Sequence, residues 1–237
     1  MTLTSFARAY RRWNARDGRL RRVLLLLEYY AFIVLPYPLR RVMVAGYVFV
    51  MLRFKRWFGV EEQHELTPLD EVGTLSFWGV PDVDLETYTL TIDGAVEAPS
   101  MMGLDDVLEM PSTLRRVRMD CVGGFRNNTD MRGVPFAELM ARVRPRPDAR
   151  RAIFYCADGY AESSTLADLA EADAMLAYEV NGERVEHLGF PLRLAIPGKY
   201  GYKWAKWVQR IEIVTHDRKG YWPQRGLPDR ARIGDLW

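Results

Sequence analysis

The sequence predicts an α+β fold with a mixed sheet, preceded by a basic, apolar helical segment, and three observations support this. Beyond residue 84, strand-like and helix-like stretches alternate irregularly, without the strand–helix–strand rhythm of an all-parallel sheet, and no internal repeat is evident. The chain has 237 residues, of which 49% are apolar, enough to bury one large core plus an appendage. The small net charge of +2 hides a split: residues 1–60 carry twelve Lys/Arg against Asp17 and Glu28, or +10, whereas the remaining 21 cations and 29 acids give −8. The expected organisation is a helical segment at 1–60, a polar, turn-rich linker at 61–83, and a globular body at 84–237.

Taken in order, the first segment places Phe6, Tyr10 and Trp13 at helical spacing, with Arg8, Arg11, Arg12 and Arg16 supplying charge. That pattern suits a helix lying in a bilayer interface. Two apolar runs follow, Val23 to Leu39 and Val42 to Phe54, separated by Arg40 and Arg41. A spanning helix needs roughly 20 predominantly apolar residues, and Glu28, Pro36 and Pro38 interrupt the first run. Two helices meeting at Pro36-Tyr37-Pro38 are expected instead. The expectation is peripheral or shallow attachment at the cytoplasmic side of a membrane; the alternative is a soluble protein whose helices cap the body. Arg21-Arg22 before a leucine run invites an export reading, but Glu28, the second apolar run and the lack of a small-residue cleavage site speak against a cleaved signal.

In the body, Tyr88 to Ile92 alternates like a strand and ends at the turn signal Asp93-Gly94. Leu104 to Met110, between Gly103 and Pro111, reads as a short helix. Val117-Arg118-Met119 reads as a strand leading to Cys121. Phe136 to Val143 has helical spacing, Ile153 to Cys156 is a short apolar strand, and Leu166 to Ala174 reads as a helix. Leu192 to Ile196 and Trp207 to Val214 are expected strands.

The chemistry concentrates in two segments. One is Cys121-Val122-Gly123-Gly124-Phe125; the other runs from Gly189-Phe190-Pro191 to Lys203 and brings Arg193, Lys199 and Lys203 close to Lys206. A thiol ahead of permissive glycines, and cations set among proline and glycine, suit a metal cofactor with a large anionic part. With only two cysteines, no disulfide framework, no haem-attachment C-x-x-C-H and no iron–sulfur cysteine cluster is present. No nucleic-acid motif accompanies the basic segment.

These segments resemble the molybdopterin domain of the sulfite oxidase family, which includes bacterial relatives that reduce methionine sulfoxide. The likeness runs from about Asp84 to Gly226 and includes Leu90-Thr91-Ile92-Asp93-Gly94, Gly133-Val134-Pro135-Phe136, Asp158-Gly159-Tyr160, Leu176 to Gly182, and Lys206-Trp207. The resemblance implies molybdenum and molybdopterin as cofactors, with Cys121 as the metal ligand. Arg193 and Lys206, thirteen residues apart, would bind the cofactor phosphate, with backbone contacts from Trp204 and Ala205. Lys199 and Lys203 are read as solvated. Tyr160 and Arg126 fall where sulfite oxidases place a catalytic tyrosine and a substrate-binding arginine. Cys156 falls where sulfoxide reductases place a cofactor-contacting threonine, although a core thiol is the simpler reading. His187 is one residue out of register with the family histidine before Gly-Phe-Pro, and Ser76-Phe77-Trp78-Gly79 lacks the asparagine or arginine found there in the family.

The implied activity is two-electron oxygen-atom transfer on a small oxo-compound or oxyanion. A separate electron-transfer partner is expected, with a membrane cytochrome fitting the front end. The competing expectation is a catalytically degenerate, membrane-anchored scaffold or binding module, which the displaced His187 would favour.

Overall fold

The computed structural model describes residues 34–57, 59, 63–76 and 78–234. The interfacial helix expected around Phe6 to Trp13 and most of the first apolar run lie outside the described residues. Helix α1 (Tyr37–Trp57) begins at the Pro36-Tyr37-Pro38 corner, where Pro38 falls in the first turn and removes no intrahelical hydrogen bond. Lys55 and Arg56 occupy its last turn, favourable for the helix dipole. Arg40, Arg41, Arg53, Lys55 and Arg56 dilute the apolar run. No helix among the described residues is long and apolar enough to cross a membrane.

Within this region α1 lies on the body. Val44 and Val48 are buried with Tyr200, Tyr202, Leu227 and Ala231 in a small second core, and Lys55 pairs with the buried carboxylate of Asp120. The remaining surface of the helix exposes Leu39, Val42, Phe49 and Trp57.

Among the described residues the body contains nine strands in two sheets. Strands β1 (Thr89–Gly94), β2 (Ser100–Gly103), β5 (Arg151–Cys156), β6 (Ala161–Thr165) and β9 (Val208–Val214) form one sheet in the order β2-β1-β9-β5-β6. In this sheet β1 runs parallel to β9 and every other neighbour is antiparallel. Strands β3 (Thr113–Asp120), β4 (Arg126–Pro135), β7 (Met175–Val180) and β8 (Arg193–Ala195) form an antiparallel sheet in the order β3-β4-β7-β8. Short helices α2 (Leu104–Leu108), α3 (Phe136–Val143) and α4 (Leu166–Glu171) complete the mixed α+β architecture.

Local sequence explains most of these elements. Leu90 and Ile92 alternate inward from β1, both fully buried. Phe136, Leu139 and Val143 bury one face of α3 at helical spacing. The Thr165 hydroxyl caps α4 by accepting the Asp168 N–H. That helix ends at Glu171, earlier than the expected Ala174, because the chain turns through a left-handed Asp173 and returns the Ala174 N–H to the Leu169 carbonyl.

Strand β4 departs furthest from local pattern, since its first four residues, Arg126, Asn127, Asn128 and Thr129, are polar yet buried. Its partners come from residues 63–76, the segment expected as a linker. Asn127 exchanges two hydrogen bonds with the Gly73 backbone, and the Asn128 amide donates to the Gln63 and Glu65 carbonyls. Thr67 exchanges backbone and side-chain bonds with Asn128. Residues 63–76 are therefore part of the body's wall. A polar strand tolerates burial here because its amides find backbone partners.

Candidate functional site

Strands β3 and β4 pair up to Asp120↔Arg126, and residues 121–125 close the hairpin. The Cys121 N–H donates to the Phe125 carbonyl (2.9 Å) and the Gly124 N–H to the Cys121 carbonyl (3.1 Å), which fixes the loop. The Cys121 sulfur accepts the Gly123 N–H at 3.3 Å and lines a cavity of about 130 Å³.

The cavity wall is mostly apolar. Leu75, Trp78, Met119, Val122, Phe125 and Trp222 supply carbon surface, and Cys121, Asp158, Tyr160, Arg193 and Lys206 supply the functional groups. Trp204 also lines it, with its ring 5.9 Å from the Arg193 guanidinium and its indole N–H on the Lys199 carbonyl. The structure thus brings Cys121, Tyr160, Arg193, Trp204 and Lys206 to one cavity. Thr74, Leu75, Ser76 and Trp78 join them from the segment that composition marks as a spacer, and local pattern contains no signal for that.

Arg193 is 6% exposed on β8, and its Nη1 donates to the Leu188 carbonyl at 2.7 Å. Its Nε is buried with no hydrogen-bond partner among the described residues. Burial holds the guanidinium down to about 10, the signature of a cation stripped of water without a counter-charge. Lys206 is held by the Thr74 hydroxyl (2.9 Å) and the Leu75 carbonyl (3.0 Å), with its ammonium over the Trp207 ring. Gly189 lets the two cations approach: it adopts φ +112°, and a Cβ there would lie 2.9 Å from Arg193 Cβ and 3.0 Å from Lys206 Cγ. A soft sulfur and an unsatisfied buried guanidinium on one wall fit an anionic, thiolate-ligated group.

Other expected site residues lie elsewhere. Arg126 does not line the cavity; its guanidinium grips Asp120 through Nε (3.0 Å) and Nη2 (3.2 Å), inside a cluster with Lys55 and Arg118. Cys156 is a core thiol on β5 whose ionisation is pushed well up, chiefly by burial and then by Asp158. Ala205 is buried beside the site, and its carbonyl accepts the Leu194 N–H. His187 is exposed outside the cavity, its imidazole held below the usual value by partial desolvation and then by Lys206, while Leu188 fills the core. Lys199 and Lys203 correct the solvated reading: each is buried, paired with Asp168 (2.6 Å) and with Glu162 (2.9 Å) respectively. Among the described residues no group of three or more His, Cys, Asp or Glu side chains forms a metal-binding cluster.

Comparisons with known proteins agree with this geometry. A family model described as the oxidoreductase molybdopterin binding domain matches residues 77–222. The chain is 29% identical over 157 residues to the uncharacterized oxidoreductase YuiH of Bacillus subtilis, covering 65% of this chain and 77% of that protein. It is 30% identical over 148 residues to a putative protein-methionine-sulfoxide reductase subunit YedZ1 of Azospira oryzae, covering 62% of this chain and 56% of that one. Sulfite oxidase of Arabidopsis thaliana is 26% identical over 199 residues, covering 68% of this chain and 50% of that enzyme. The chain therefore spans only about half the length of the last two. Among solved structures, the sulfane dehydrogenase SoxCD of Paracoccus pantotrophus matches with a TM-score of 0.58 at 25% identity, covering 65% of this chain and 45% of that one. With fold, cavity and family model in agreement, the chain belongs to the molybdopterin-binding oxidoreductase family, and it is an oxidoreductase that uses the molybdenum cofactor.

Proposed function

We propose that this enzyme transfers an oxygen atom, with two electrons, to or from a small neutral S- or N-oxide, in preference to an inorganic oxyanion. The observation that carries this reading is the position of Arg126. A dianion such as sulfite needs a cation on the cavity wall beyond Arg193 and Lys206, which the cofactor would occupy, and Arg126 is committed to Asp120. What faces the cavity is carbon and aromatic surface from Trp78, Tyr160, Tyr202 and Trp222, suited to the organic part of a neutral oxide.

Cys121 would hold the metal, while Arg193 and Lys206 would hold the cofactor's phosphate. The molybdenum cofactor, when bound, supplies the two-electron redox chemistry. The chain's own residues do the rest. Leu188 positions Arg193 through its carbonyl, and Thr74 and Leu75 position Lys206. The aromatic walls keep water from the reacting group. Tyr160 contributes a phenol whose ionisation burial, and next the Glu162 charge, push well up, so it stays neutral, with its hydroxyl turned to Glu162 and the Tyr202 carbonyl.

Electrons are exchanged with a separate partner, and we place the enzyme at the cytoplasmic face of a membrane. The exposed apolar residues of α1 and its arginines support this reading. Two measurements test the proposal. Protein made with cofactor available should carry about one molybdenum per chain, and steady-state kinetics with an artificial electron carrier should favour S- and N-oxides over sulfite. Higher specificity for sulfite would reverse the substrate assignment. Recovery of the intact chain wholly in the soluble fraction at low salt would defeat the membrane placement.

A further inference from the structure

The hydroxyl of Tyr160, a residue that lines the cavity, lies 3.0 Å from Glu162 Oε2 and 2.6 Å from the Tyr202 carbonyl oxygen. One hydroxyl hydrogen serves one acceptor, yet both neighbours are oxygens. Glu162 is fully buried, and its Oε1 accepts the Ser163 N–H (2.9 Å) and the Lys203 ammonium (2.9 Å). Lys203, 1% exposed, also donates to the Ser163 carbonyl (2.7 Å) and to Asp229 Oδ1 (3.0 Å). The Asp229 side chain is 29% exposed and is held by Arg151 Nη2 at 2.8 Å. The backbone seals the other flank of Glu162, since a Cβ on Gly220 would lie 1.8 Å from Oε1.

We propose that Tyr160, Glu162, Lys203 and Asp229 form a proton path between the cavity and solvent, with Glu162 as its internal proton-holding group. The proposal rests on the oxygen-transfer reading, because that reaction moves protons in either direction. An oxide that takes up two electrons from the redox partner and two protons leaves as the reduced compound and water; the reverse reaction releases two protons.

The hydrogen-bond geometry provides for the transfer. With Glu162 ionised, the Tyr160 hydrogen bridges either Glu162 or the Tyr202 carbonyl and leaves the other oxygen pair unbridged. With a proton on Glu162 Oε2, the carboxyl donates to Tyr160 and Tyr160 donates to Tyr202, so every contact is bridged. The two arrangements differ by one proton and one hydroxyl rotation. Lys203 is the cation facing Glu162, with Asp229 and Arg151 behind it; Tyr160, Tyr202, Cys156 and Asp158 are further titratable groups close to this site, and the Tyr221 ring packs on Tyr160. Burial pushes the Glu162 carboxyl up while Lys203 pulls it down, so the two protonation states are brought closer together.

Two readouts test the path. In the cofactor-loaded enzyme Glu162→Gln should lower turnover by about 100-fold or more, the scale of a lost acid–base group. Molybdenum content should be unchanged and the pH dependence flattened. Asp229→Asn should slow turnover less and be rescued by small permeant acids in the buffer, which a merely structural role would not produce. In the cofactor-free protein, infrared titration should show a protonated-carboxyl band that Glu162→Gln removes and Asp229→Asn retains. A full-occupancy Glu162→Gln enzyme with parental turnover and pH profile would overturn the path, as would an infrared titration identical in parent and variant. If Glu162→Gln does not fold, Tyr160→Phe takes its place: loss of the same pH limb supports the path and an intact limb refutes it. A parent enzyme inactive on every oxide and on sulfite, yet showing the Glu162 band, would count against the oxygen-transfer reading while still establishing Glu162 as a proton-holding group.

Discussion

Two clusters of buried charge lie near Cys121, and they are built in opposite ways. In the first, Asp120 is enclosed by Arg126, Lys55 and Arg118, so both carboxylate oxygens are engaged and the cations share a counter-charge. In the second, Arg193 is as deeply buried as Arg126, but it has one backbone carbonyl for a partner and a bare Nε. A satisfied cluster is complete within the protein, whereas an unsatisfied one marks where a ligand's charge belongs. The difference separates arginines that the sequence presents as equals, and it moves Arg126 from the substrate to the scaffold beneath the cysteine loop.

Cys121 follows Asp120 directly, so it tests where scaffold ends and site begins. Cys121→Ser should reduce turnover to background while leaving the circular dichroism and melting of the cofactor-free protein near those of the parent, on the proposal that the sulfur serves the metal. Asp120→Ala should do the reverse. It removes the buried carboxylate that Arg126, Lys55 and Arg118 share and should cost about 3–5 kcal/mol of stability in cofactor-free protein, read by denaturant unfolding. Equal stability would mean that the cluster is not structural.

The complementary change is Arg193→Ala. Unfolding of the cofactor-free protein should be unchanged or slightly harder, because an unpaired buried cation is removed. Cofactor affinity should fall by about 10- to 150-fold, corresponding to about 1.5–3 kcal/mol for one charged hydrogen bond. Comparable destabilisation of both forms would show that Arg193 belongs with the scaffold.

The smallest effect is expected at Asp229. Burial raises its carboxyl, but Lys203 and Arg151 outweigh that and hold it below its ordinary value of 3.8. A depressed carboxylate contributes stability that is fully present above 3.8 and lost as the pH falls through its lower folded value. Asp229→Asn should therefore flatten the acid limb of the stability curve and leave its slope at neutral pH unchanged, measured as melting temperature against pH.

Much of the fold was legible because local pattern encodes it. Leu90 and Ile92 mark β1, the spacing of Phe136, Leu139 and Val143 marks α3, and the approach to Cys121 marks β3. Strand β4 was not legible, because Arg126-Asn127-Asn128-Thr129 reads as an exposed loop until residues 63–76 are folded over it. Strands β2, β6 and β7 were also missed: β2 and β6 are short, and β6 is lined with Glu162, Ser163 and Ser164.

What the amino-acid order settled is the chemistry available: a cysteine ahead of glycines, cations after Gly-Phe-Pro, and a family likeness from about Asp84 to Gly226. Folding then assigned each charge its task. Arg193 and Lys203 look alike in sequence, but Lys203 meets Glu162 from 41 residues away while Arg193 meets only a nearby carbonyl. Lys206 likewise depends on Thr74, 132 residues distant, and Arg126 is withdrawn from the cavity by an aspartate directly across its hairpin. Hydrophobic periodicity is local and can be read along the chain, but whether a buried charge is neutralised depends on which distant segment packs against it.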